Sequence, residues 1–133
     1  MMLFLSLPPD DVFYQETPRY VATEEERELL AEIIMYEAEG EPDDGKQAVG
    51  SVVINRVLSP LFPDTIEEVI YQKNQFATIT GTKTPTPECY TAADAALMYE
   101  GFPPDMFYFR ANHYHGFGKP YCQIGNHYFS TED

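Results

Sequence analysis

Three carboxylates crowd positions 37, 39 and 41, directly after the apolar run Ile33-Ile34-Met35. A carboxyl held among apolar neighbours loses solvation of its charged form, so its pKa rises. It can then carry a proton near neutral pH, as a general acid protonating a leaving oxygen must. Helical spacing separates the three acids. Glu37 lies four residues after Ile33, on the apolar face, whereas Glu39 points away from that face and Glu41 lies beyond Gly40 in a turn. The competing reading is a solvated helix end. A glycosidase of the common kind needs a second carboxylate across its cleft. Glu41, Asp43, Asp44, Asp64, Glu88 and Asp105 are candidates among which spacing does not choose. One acid suffices if the substrate supplies its own nucleophile.

A second constellation is His113, His115, Cys122 and His127. Alternate strand residues share a face, so His113 and His115 could bind a metal together. The spacing to Cys122 and His127 matches no zinc pattern, and hydrogen-bonding histidines are the expectation. Aromatic residues crowd the chain from Phe76 to Phe129 among Asn and His. Many must be core, yet the concentration suits a cleft where rings stack on sugar faces and amides bind hydroxyl or acetamido groups.

These residues need elements to position them. Residues 1–22 read as an irregular leader, broken by Pro8, Pro9 and Pro18, whose Phe4, Phe13, Tyr14 and Tyr20 could pack against a body at 23–133. Thr23 with Glu26 forms a capping box opening a helix that Gly40, as a C′ residue, and Pro42 should end. Asp43 or Asp44 should cap a second helix from about Gly45 to Leu58, apolar nearly all round and therefore buried, with Gly50 and Ser51 permitting close approach. Thr65 and Glu68 cap a short third helix, Ile66–Tyr71. Residues 72–88 read as a loop, long enough to be a functional lip. A fourth helix is expected at about Thr91–Glu100. MFYFR and QIGNHYF then read as strands of a two-stranded hairpin closing a helical domain.

Bulk properties narrow the classes. With 133 residues and a net charge of −14 from 8 basic and 22 acidic side chains, this is one domain with little affinity for phosphates or anionic surfaces. Two cysteines exclude a disulfide scaffold and leave a single bridge as an option. The opening MMLFLSLPPDD is too short and lacks the basic start of a signal peptide, and no stretch reaches the ~20 apolar residues of a membrane span.

The segment YEAEGEPDDGKQAVGSVVINRV, the following SPLFPDTIEEVIYQKNQF and the closing IGNHYF together resemble the catalytic domain of spore cortex-lytic cell wall hydrolases of the SleB type. The resemblance covers about residues 27–130. It implies an α+β fold, a small, mainly helical lysozyme-like domain with a short antiparallel hairpin near its C-terminal end. It also implies lytic transglycosylase activity on the MurNAc–GlcNAc bond of peptidoglycan, with no cofactor and no metal. Glu37 would be the general acid, then the base that helps the muramic C6 hydroxyl close a 1,6-anhydro ring. Glu41, Gln47, Gln75, Phe76, Tyr108, Asn126 and His127 match further positions and are assigned to substrate binding, Asn55 and Arg56 match near the end of the buried helix, and Asn55, Asn126 and His127 alternatively hold the architecture. Two departures stand out. Glu39 replaces the usual Arg of the E-A-R-G-E element and, if close, should raise the Glu37 pKa further. Ala77-Thr78 replaces a usual Ser-Pro. The expected partner is a peptidoglycan glycan strand bound by a monomer, without nucleic acid or membrane. The rivals are a hydrolysing muramidase, a non-catalytic glycan-binding module, and a metal-dependent hydrolase using His113, His115 and His127. The route to the wall is open between spore coat association and phage release.

Overall fold

The second helix organises the molecule because nearly every face of it is covered. A computed structural model describes residues 17–133, which form α1 (Glu24–Ala38), α2 (Asp43–Val57), α3 (Ile66–Ile70), α4 (Pro87–Met98), β1 (Met106–Ala111), β2 (Lys119–Ile124) and β3 (His127–Thr131). Along α2 even Lys46, Ser51, Asn55 and Arg56 are buried with the apolar residues. Gly50 makes this possible. A Cβ there would lie 3.0 Å from the Ala96 Cβ of α4 and 3.1 Å from Ile34 Cδ1 of α1, tighter than ordinary contact. The core is thus a helical layer centred on Leu30, Ile33, Ile34, Val49, Val52 and Val53, all fully buried.

The helix starts follow local chemistry. Thr23 and Glu26 form the reciprocal capping box, with bonds of 3.1 and 2.9 Å. α2 starts at Asp43 rather than Gly45, with Pro42 at the N-cap and no side-chain cap. Asp43 and Asp44 occupy its first turn, where they complement the helix dipole instead. α4 starts at Pro87, earlier than Thr91, because Thr86 accepts the Cys89 N–H and Pro87 suits the first helical position. Gly40 is not left-handed; α1 ends through Glu39 in helical geometry and a Glu41 N–H bond to the Ala38 carbonyl.

The sheet has three antiparallel strands in the order β1-β3-β2, not two. QIGNHYF is not one strand but the end of β2, a turn at Gly125-Asn126, and the start of β3. The α+β class is as expected. Asn55 ties the sheet to α2, donating to the carbonyls of Pro103 and Met106 at 3.0 Å each. Of the leader, residues 17–22 are described. Arg19 donates to Asn55 Oδ1 at 2.6 Å, and Tyr20 packs on the core and donates to Glu26 at 2.7 Å. Phe4, Phe13 and Tyr14 lie outside the described residues. Cys89 and Cys122 are unbonded to each other. Among the described residues no helix is long and apolar enough to cross a membrane.

Candidate active site

The end of α1 grips the loop that follows α3. Glu37 emerges beside buried Ile33, Ile34 and Ala38, and its Oε2 accepts the Ala77 N–H at 2.5 Å. Its Oε1 makes no hydrogen bond among the described residues and is not closed off from solvent. Burial pushes the Glu37 carboxyl above its ordinary value, and the Ala77 N–H opposes this in part. The negative end of the α1 dipole acts in the same direction as burial. No neighbouring carboxylate contributes. Glu39 in particular does not, and its carboxylate forms an ion pair with Lys83 at 2.9 Å. The upward push expected from Glu39 is therefore absent, and the substitution serves to hold the loop.

Tyr36 holds the same loop. Its phenolic oxygen accepts the N–H groups of Thr82 at 2.9 Å and Lys83 at 3.2 Å and contacts Thr80 Oγ1 at 3.3 Å. Bonds from Thr80 and from these backbone groups hold the Tyr36 phenol below its ordinary pKa. Tyr36, Glu37 and Glu39 therefore clamp residues 77–83 together.

Beside Gln75 and Phe76 stands Arg56, which matches the resemblance but is assigned no role from it. Its Nε and Nη2 donate to the Phe107 carbonyl at 2.9 and 2.7 Å, and Nη1 donates to Gln75 Oε1 at 3.0 Å. Its guanidinium lies 4.7 Å from the Phe62 ring centroid and 5.1 Å from that of Phe76. Burial lowers its pKa to about 10. A cavity of about 440 Å³ opens here, walled by Arg56, Phe62, Gln75, Tyr108, Phe109 and Phe117. Gln75, Phe76 and Tyr108 are thus brought together, and Phe76 joins the cavity wall to the Glu37–Ala77 contact. Tyr108 donates to Glu132 Oε1 at 2.7 Å, and burial first, then this bond, pushes its pKa up to about 12. The missed signal was the charge itself. An arginine inside a helix that is apolar all round needs partners, and the sequence does not say where they are.

Glu41, Asn126 and His127 form a separate group. Glu41 Oε1 accepts the Asn126 N–H at 2.8 Å and its Oε2 accepts the Asn126 side-chain amide at 3.2 Å. Gly125 sits at φ 58°, and a Cβ there would overlap Glu41 Oε1. His127 is buried against Phe109, 5.1 Å between ring centroids, and burial lowers its pKa. Gln47 stands apart, lining a cleft with Asp43, Asp44 and Glu88 between α2 and α4. Of the metal candidates, His115 stacks on Phe117 at 4.5 Å and His113 bonds the Tyr114 carbonyl. Among the described residues no three His, Cys, Asp or Glu side chains are grouped to hold a metal ion.

A family model described as Cell Wall Hydrolase matches residues 40–130, beginning just beyond Glu37. The spore cortex-lytic enzyme of Bacillus subtilis strain 168 is 32% identical over 109 residues, 76% of this chain and 36% of that enzyme. The spore cortex-lytic enzyme of Oceanobacillus iheyensis is 42% identical over 52 residues, 39% of this chain and 19% of that one. The chain thus spans about a third or less of these relatives. The solved catalytic domain of the Bacillus cereus SleB protein superposes with a TM-score of 0.72 at 26% identity, covering 84% of this chain and 93% of that domain. That of the germination-specific lytic transglycosylase SleB from Bacillus anthracis gives 0.70 at 25% identity, over 83% and 97%.

Proposed function

This chain belongs to the cell wall hydrolase family, and from that premise we propose that it cleaves peptidoglycan glycan strands as a lytic transglycosylase. The carrying observation is Glu37, a desolvated carboxyl with one oxygen fixed by the Ala77 N–H and the other free of protein bonds. In the proposed reaction protonated Glu37 gives its proton to the glycosidic oxygen between MurNAc and GlcNAc as that bond breaks. The C6 hydroxyl of the same MurNAc then attacks C1, its proton passes to the Glu37 carboxylate, and the 1,6-anhydro ring closes. One carboxyl does both steps because the two proton transfers are opposite in sense. That fits a site in which, among the described residues, no second carboxyl is hydrogen-bonded to Glu37.

The test is digestion of purified peptidoglycan with mass spectrometry of the products. Anhydro ends are expected from the wild type, and their loss by roughly two to four orders of magnitude in Glu37→Gln. Undiminished release by that variant would remove Glu37 from the reaction. Reducing ends, heavier by one water, would make the enzyme a hydrolysing muramidase.

A further inference from the structure

Arg56 is 5% exposed and has no carboxylate partner among the described residues. Buried guanidinium groups are costly to desolvate and ordinarily sit against an acid. Among the described residues only the Phe107 carbonyl, the Gln75 amide and ring faces meet it, although the sequence holds 22 acidic residues. A guanidinium has five N–H groups. Three are used, leaving one on each terminal nitrogen. Arg56 lines the cavity of about 440 Å³. At the same cavity the Phe117 ring is 55% exposed and backed by the His115 stack.

The geometry points to a carboxylate subsite. Arg56 receives an anionic arm of a sugar residue, and Phe117 takes the apolar face of the ring. This deepens the peptidoglycan reading and rests on it. Muramic residues carry such an arm in two forms, a free lactyl carboxylate or the carboxylates of a peptide attached through it. Neutral GlcNAc carries neither. Residues 75–77 connect the subsite to Glu37, so a muramic residue held by its arm is presented to the acid with one orientation along the strand.

Titration calorimetry on the full chain tests this with four probes: GlcNAc–MurNAc as the free acid, its methyl ester, the same disaccharide bearing L-Ala–D-isoglutamate, and chitobiose. The acid or the dipeptide form should bind at least about tenfold more tightly than the ester and chitobiose, the scale of one charge-assisted pair. Tighter binding of the dipeptide form assigns the peptide carboxylate, and tighter binding of the acid assigns the lactyl group. Arg56→Gln should bring the preferred carboxylate form and the ester within about twofold of each other. Phe117→Ala leaves the bonds of Arg56 in place and should weaken the preferred form about threefold or more, keeping the location testable if Arg56→Gln does not fold. Equal binding of acid, dipeptide and ester by the wild type, or unchanged binding of the preferred form in Phe117→Ala, overturns the subsite. Cleavage of peptidoglycan with equal probe binding removes the subsite alone, and carboxylate preference without cleavage removes the catalytic reading alone.

Discussion

At the residue scale the decisive balance is at Glu37, between desolvation that favours its protonated form and one backbone N–H that favours its charged form. Desolvation wins, and the sign has a stability consequence. A carboxyl with a raised folded-state pKa adds no penalty below its ordinary value of 4.5, where it is neutral folded or unfolded. It costs stability as pH rises through the folded value. Glu37→Gln should therefore melt higher than wild type at pH 7, with the gap closing toward pH 4. A gap of the opposite sign, read by circular dichroism, would mean that the carboxylate is favoured in the fold. The rate on peptidoglycan should fall over the same rise in pH. Glu37 was legible in the sequence because its partners are four residues away on its own helix. The partners of Arg56 were not, because Phe107 is 51 residues distant and Gln75 lies beyond a third helix.

At the element scale the loop over α1 is held by side chains from the end of that helix. Tyr36→Phe deletes the acceptor for Thr82 and Lys83. It should speed amide exchange across residues 77–83 several-fold, as expected from losing about 1 kcal/mol of hydrogen bonding. Exchange confined to wild-type rates would show that the loop holds without it. Glu39→Arg should change stability by less than about 1 kcal/mol, because the Lys83 pair is solvent-exposed. The hairpin turn behaves differently. Glu41→Ala removes both acceptors of Asn126, and a cost of about 1–2 kcal/mol in urea unfolding is expected. Elements whose signals are local were read from the sequence. The Thr23 box and the Thr65 cap lie within three residues of their partners. The start of α4 was misplaced because a Thr/Pro tract reads equally as loop and as N-cap plus first turn. The third strand was missed because pairing β3 with both neighbours is a tertiary choice that no short window records.

At the scale of the whole molecule, charge sets the terms of encounter. A net charge of −14 repels a polyanionic wall polymer at long range. Raising salt from about 10 to about 150 mM shortens the screening length several-fold and should speed wall digestion. A rate that falls with salt would point to local attraction, as at Arg56, controlling encounter instead.

The strand order has a consequence in time. β1 and β2 never pair with each other, and both ladders run through β3, which is synthesised after them. The helices can collapse on α2 while the chain is still growing, but neither earlier strand has a neighbour until residues 127–131 leave the ribosome. The sheet then completes in one step, and Tyr108 gains its strand neighbour Ser130 and the Glu132 bond at that moment. A nascent chain stalled after Ile124 should show protected helices and freely exchanging amides at 106–111, so wall-cutting competence would be withheld until translation of the domain is over.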